Sequence, residues 1–146
     1  MNQDYIDIFR ALFAAEARFM VVGAFALAVH AEPRATGDID IWIDSTPDNA
    51  QKTYEALKAF GAPLDELTVA DLHSPDVVFQ MGRPPSRINI LTFITGVRFE
   101  EAWQRKTSFK LSNLEIPVIS KEDLITNKKA VGRPKDLFDL ELLNKK

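Results

Sequence analysis

Asp38 and Asp40 stand two positions apart in GDIDIWID, residues 37–44, where Ile39, Ile41, Trp42 and Ile43 are otherwise large, apolar and β-favouring. Side chains of a strand alternate between faces, so both carboxylates project the same way from Cα atoms about 6–7 Å apart. At an effective dielectric near 20, two such charges about 5 Å apart repel by roughly 3 kcal/mol. A cation or a proton must relieve that repulsion. Fifteen residues before Asp38, the apolar run RFMVVG ends at Gly23, and the alanine-rich AFALAVH follows directly. Glycine lets a ligand approach the backbone closely, and the free N–H groups at a helix start favour phosphate oxygens. A hard cation such as Mg²⁺ takes oxygen ligands, so carboxylates and a phosphate together would hold it between them.

The elements that must position these residues alternate in period. Residues 3–17 place Ile6, Phe9, Leu12 and Phe13 on one helical face, with Tyr5 and Ile8 flanking it. RFMVVG reads as a short buried strand and AFALAVH as a helix, and a loop through Pro33 and Gly37 leads into the carboxylate strand. Pro47 opens a helix to Phe60, with Ser45 or Thr46 as N-cap and Gly61 at its end. LDELTVADL reads as a short helix, and DVVFQMG and RINILTF as two strands joined by GRPPS. Phe99–Lys106 reads as a helix, followed by SFKLSN and LEIPVIS as a strand pair turning at Asn113. Ser120 and Asp123 resemble a capping box opening KEDLITNKKAV, which Gly132 closes. Pro134 starts a final helix with Leu137, Leu140 and either Leu143 or Leu142 inward. The pattern predicts one α/β or α+β domain over residues 1–146, with a mixed sheet flanked by helices.

Bulk composition narrows the classes. With 146 residues, 46% hydrophobic and 27% charged, the chain is the size of one ordinary globular domain and can bury a core without staples. It has no cysteine and two histidines, which excludes disulfides and thiolate zinc sites. No apolar run reaches the ~20 residues of a membrane span, and MNQDYIDIFRAL lacks the plan of a signal peptide, so no membrane contact and a cytoplasmic location are expected. A net charge of −3 exerts no global pull toward nucleic acid.

VVGAFALAVHAEPRATGDIDIWID resembles the N-terminal signature of the minimal nucleotidyltransferase superfamily, the polymerase-β-like fold: hydrophobic-Gly-(Gly/Ser), a short helix, then Asp-hydrophobic-(Asp/Glu). GRPPSRINILTFITGVRFEEAW and IPVISKEDLITNKKAVGRPKDLFDLELL are similar to the middle and end of small bacterial members related to abortive-infection, toxin-type nucleotidyltransferases. The resemblance spans residues from about 18 to 143. It implies a nucleotidyltransferase fold in which Gly23 and Ala24 face a nucleoside triphosphate. Asp38 and Asp40 would coordinate Mg²⁺, and a nucleoside monophosphate would pass to an acceptor such as an RNA end, a protein hydroxyl or a small molecule. Lys128 and Arg34 are the candidate phosphate contacts, with Arg133 and Lys135 behind them.

Two positions depart from the pattern. Ala24 stands where relatives carry Gly or Ser, keeping the N–H but losing a hydroxyl. Asn89 stands where they commonly supply a third metal-binding carboxylate; it offers a carbonyl oxygen but neither charge nor a base. Asp76, expected on the preceding strand, is the candidate substitute. Asn89 also supports a competing reading, a catalytically weakened nucleotide- or partner-binding component of a toxin–antitoxin system. A metal-dependent nuclease would share the acidic pair without needing the Gly23 turn. Because no second domain is expected, a protein partner or a homodimer is the candidate to complete an acceptor site. His30 reads as a capping or packing residue rather than a base, and Trp42 and Trp103 as core or interface. WQRKTSFK fits either a nucleic-acid contact or a charged helix-to-strand junction.

Overall fold

A computed structural model describes residues 2–32 and 36–145. The elements run α1 (Gln3–Ala14), β1 (Phe19–Val22), α2 (Gly23–His30), β2 (Asp38–Ile43), α3 (Pro47–Phe60), α4 (Val69–Leu72), β3 (Val78–Met81), β4 (Arg87–Leu91), α5 (Phe99–Arg105), β5 (Thr107–Leu111), β6 (Leu114–Val118), α6 (Lys121–Val131) and α7 (Pro134–Asn144). The strands form one six-stranded sheet in the order β3-β4-β2-β1-β6-β5. The carboxylate strand β2 lies inside it, antiparallel to β1 and parallel to β4, which is why its second half is apolar on both faces.

Ring contacts assign the two faces. Phe9 of α1 stacks on Phe19 of β1 at 5.8 Å, and the register aligns Phe19 with Ile43 and Val21 with Ile41. The Ile39, Ile41 and Ile43 side chains therefore face α1, and α3 packs against α1. Asp38, Asp40 and Trp42 point the opposite way, where Phe99 of α5 meets Trp42 edge-on at 5.0 Å. That face, under α2, α5, α6 and α7, carries the polar end of the sheet.

Several expectations shift locally. The first helix ends at Ala14, and its buried positions are Tyr5, Ile8, Phe9 and Leu12; Ile6 is half-buried and Phe13 is 37% exposed. The sheet contact through Phe9 sets which arc turns inward, and Phe13 reaches only the rim of Phe19. Of LDELTVADL only Val69–Leu72 is helical, because Thr68 and Asp71 cap each other reciprocally and start the helix late. Ser120 accepts the Asp123 N–H, but the Asp123 carboxylate does not return the bond: Arg105 takes it with a two-pronged contact at 2.9 and 3.0 Å. In α7, Leu140 and Leu143 are buried while Leu137 is 57% exposed. Asp136 and Asp139 turn inward on that helix, because a buried lysine on α6 needs them.

Candidate functional site

Strand register builds the site as a row. Val22 of β1, Asp40 of β2, Asn89 of β4 and Gln80 of β3 lie side by side across four strands, and Asp38 lies opposite Arg87 two residues along. The Asn89 side-chain amide donates to both carboxylates, to Asp40 Oδ1 at 2.8 Å and to Asp38 Oδ2 at 3.2 Å. Its carbonyl oxygen accepts from Gln80 Nε2 at 2.9 Å. Arg87 Nη2 approaches Asp38 Oδ2 at 3.4 Å. Hydrogen bonds to charged acceptors are the stronger kind, so Asn89 supplies part of the relief the pair needs. Asp40 still has its carboxyl pushed above the ordinary range: burial raises it most, the Asn89 N–H works against that, the Asp38 charge adds to it, and Lys135 and Arg87 pull it back.

Gly23 is fixed twice over. Its φ is +68°, in the left-handed region, and a Cβ there would lie 2.1 Å from Asp40 Oδ2. The turn from β1 into α2 is thus pressed directly against the carboxylate. Gly23, Ala24, Asp38 and Asp40 form one side of a cleft of about 350 Å³, and Lys128, Arg133 and Lys135 from α6 and α7 form the other.

The far wall is an ion-pair network. Lys128, 5% exposed, places Nζ 3.0 Å from Asp139 Oδ2 and 3.7 Å from Asp136 Oδ1. Arg133 Nε reaches Asp136 Oδ2 at 2.7 Å, and this hydrogen bond, opposed by burial, holds the Asp136 carboxyl below its ordinary range. Lys128 therefore lines the cleft with its charge already matched by carboxylates. Lys135 is exposed at the same cleft.

The structure brings Gly23, Ala24, Asp38, Asp40, Lys128, Arg133 and Lys135 to one cleft, with Asn89 beside the carboxylates. Arg34 lies outside the described residues. Asp76 does not substitute at the third position: it is exposed in a left-handed turn before β3. The β3 residue opposite Asn89 is Gln80, four positions further on. His30 Nε2 lies 2.7 Å from the Ile119 carbonyl oxygen, tying the end of α2 to the end of β6. Trp42 is buried, and Trp103 stacks on Phe99 at 5.7 Å with Arg18 and Lys106 over its ring. Two cations of WQRKTSFK are thereby engaged within the chain, Lys106 on Trp103 and Arg105 on Asp123.

Sequence reasoning missed Arg87, Gln80, Asp136 and Asp139. Arg87 had a signal, since it precedes Asn89 by two in a strand and shares its face. Asp136 and Asp139 had one too, at the i, i+3 spacing of a helical face. Gln80 had none, because only the pairing of β3 with β4 brings it to Asn89.

The donor set suits a hard divalent cation in kind, two carboxylates with an amide alongside, and Asp40 and Gly23 set the near edge. No cluster of three or more His, Cys, Asp or Glu residues that could hold a metal occurs among the described residues. No helix among them is long and apolar enough to cross a membrane.

Solved structures share this architecture. The lincosamide antibiotic adenylyltransferase LnuA, solved with lincomycin bound, is 15% identical with a TM-score of 0.59, over 99% of this chain and 96% of that one. TM1012 of Thermotoga maritima, provisionally assigned as a nucleotidyltransferase, is 17% identical with a TM-score of 0.61, over 100% of this chain and 96% of its own. These likenesses establish the nucleotidyltransferase fold. Among curated proteins none matches. The profile described as "Nucleotidyl transferase AbiEii toxin, Type IV TA system" matches residues 7–146, and with nearly the whole chain inside that match, the chain belongs to the AbiEii nucleotidyltransferase toxin family.

Proposed function

We propose that the cleft binds a nucleoside triphosphate together with Mg²⁺ and transfers its nucleoside monophosphate to an acceptor, releasing pyrophosphate. Asp38 and Asp40 are the residues that would hold the cation. When bound, it supplies charge neutralisation for in-line displacement at phosphorus. The N–H groups at the start of α2, accessible because Gly23 and Ala24 carry no bulk, take triphosphate oxygens. Lys135 meets phosphate from the opposite wall. Lys128 sets the position of that wall and reaches a phosphate by exchanging one of its carboxylate partners, with Arg133 flanking it. Arg34, between α2 and β2, is the further phosphate contact.

The contact of the Gly23 turn with Asp40 supports this reading most strongly, because it sets a phosphate-accepting backbone against a cation-binding carboxylate. Membership of a nucleotidyltransferase family favours transfer over a purely binding role. The acceptor is an RNA end, a protein hydroxyl or a small molecule, and a partner protein or a second copy of the chain completes the acceptor side in the cytoplasm. The test is incubation with each α-labelled ribonucleoside triphosphate and Mg²⁺ in the presence of RNA, cell protein or small-molecule extract. Label should pass to one acceptor class, and Asp38→Asn and Asp40→Asn should abolish transfer. Release of nucleotides from RNA or DNA without added triphosphate would instead make the chain a nuclease.

A further inference from the structure

The third position of the acidic site is occupied by a pair of amides. Asn89 uses both N–H bonds on Asp38 and Asp40, and its carbonyl oxygen is fixed by Gln80 at 2.9 Å. The donating end of Asn89 therefore occupies Asp40 Oδ1 and Asp38 Oδ2, oxygens of the two carboxylates that would take a cation. An N–H group cannot ligate a cation, and a bound cation would repel it. An amide has a second orientation of the same shape: turned over about its terminal bond, Asn89 presents its carbonyl oxygen to the carboxylate side and its N–H₂ to Gln80. Gln80 can match that change by turning its own amide, so that Oε1 accepts where Nε2 donated. One hydrogen bond between the two residues exists in either state, with its direction reversed.

We propose that Asn89 and Gln80 form a coupled amide switch, donating to Asp38 and Asp40 without a divalent cation and turning over together to offer the Asn89 carbonyl oxygen when one binds. Gln80 is a positioning residue, since it acts only through Asn89. The inference rests on the reading of Asp38 and Asp40 as cation ligands. It accounts for how a chain without the third carboxylate keeps its acidic pair compatible with folding while retaining an oxygen for the cation. It also assigns a role to Gln80, whose own position is an exposed one on the edge strand β3.

The test changes the direction of the Gln80–Asn89 bond and measures cation affinity rather than turnover. In Gln80→Glu the carboxylate can only accept, so it holds the Asn89 N–H₂ toward β3 and leaves the carbonyl oxygen facing the acidic pair. Mg²⁺ and Mn²⁺ affinities are measured by titration calorimetry on the full chain for wild type, Asn89→Asp, Gln80→Glu, Asn89→Ala and the Gln80→Glu/Asn89→Ala double variant. Gln80→Glu should tighten binding about fivefold or more when Asn89 is present, and most of that gain should vanish in the Asn89→Ala background. The double variant separates the switch from the added charge, which acts in both backgrounds. Side-chain amide resonances of Asn89 and Gln80 in the wild type should both shift on Mg²⁺ addition. Without metal, the thermal midpoint of Gln80→Glu should fall below wild type, because the Asn89 N–H₂ then no longer donates to Asp38 and Asp40, and most of that fall should vanish in the Asn89→Ala background. An equal gain in both backgrounds, or Mg²⁺ binding that leaves both amide resonances unmoved, overturns the switch while leaving the cation site standing. Absence of cation binding in the wild type and in Asn89→Asp alike removes the cation-site reading and the switch with it.

Discussion

Gly23→Ala probes the joint between the phosphate turn and the acidic pair. A Cβ at residue 23 would sit 2.1 Å from Asp40 Oδ2, where ordinary contacts begin at 3.4 Å, so the carboxylate must turn aside by more than an ångström. Turning breaks the 2.8 Å hydrogen bond from Asn89 to a charged acceptor, a kind of bond worth about 1.5–3 kcal/mol. The left-handed backbone adds about 1–2 kcal/mol once the residue is no longer glycine. Relief of the Asp38–Asp40 repulsion offsets part of this, leaving a loss of about 2–4 kcal/mol, or a thermal midpoint lower by about 5–15 °C. Urea unfolding in the presence of a chelator, performed in wild-type and Asp40→Ala backgrounds, isolates the steric part. Gly23→Ala should cost only the backbone term of about 1–2 kcal/mol when Asp40 has been shortened. An equal cost in both backgrounds would refute the contact and the geometry built on it.

Three further outcomes follow from the charges. Asp40 has a raised carboxyl in the folded state, so the native chain binds its proton more readily than the unfolded chain. Metal-free stability should therefore fall as pH rises from the ordinary carboxylate value of about 3.9 through the raised one, and Asp40→Asn should remove that decline in urea midpoints measured across pH. Asp136 has the opposite sign: its lowered carboxyl contributes stability that is present above the ordinary value and lost as pH falls through the lowered one. Arg133→Ala should make that acid-side loss shallower in the same measurement. Lys128→Met removes the buried cation that Asp136 and Asp139 share, which should cost about 3–5 kcal/mol by urea unfolding.

Much of this site was legible in the chain because it depends on local pattern. Period-two alternation put Asp38 and Asp40 on one face, and the switch from an apolar run to an alanine-rich one at Gly23 marked the turn into α2. Such features need no knowledge of what lies across the sheet. Leu137 departs from local pattern: helical periodicity places it in the core, but the buried Lys128 Nζ draws Asp136 and Asp139 inward and leaves Leu137 in solvent. The same holds for Asn89, which reads as the loss of a carboxylate when taken alone. Paired in register with Asp40 and Gln80, it is a donor that eases the charge on its neighbours. Asp76 has the right residue type, but it sits in the exposed turn before β3, and the residue that the strand pairing sets opposite Asn89 is Gln80.

In the proposed function Asp38, Asp40 and the Gly23 turn form one nucleotide–cation site, and the thermal midpoint reads its occupancy. The protein is heated with each of the four ribonucleoside triphosphates, with and without Mg²⁺, alongside Asp38→Asn. A nucleotide at about 100 times its dissociation constant should add about 2.7 kcal/mol of stability, raising the midpoint by about 5–10 °C. Such a rise is expected for at least one nucleotide, only with Mg²⁺ and absent in Asp38→Asn. No rise with any nucleotide, or the same rise in Asp38→Asn, would contradict it.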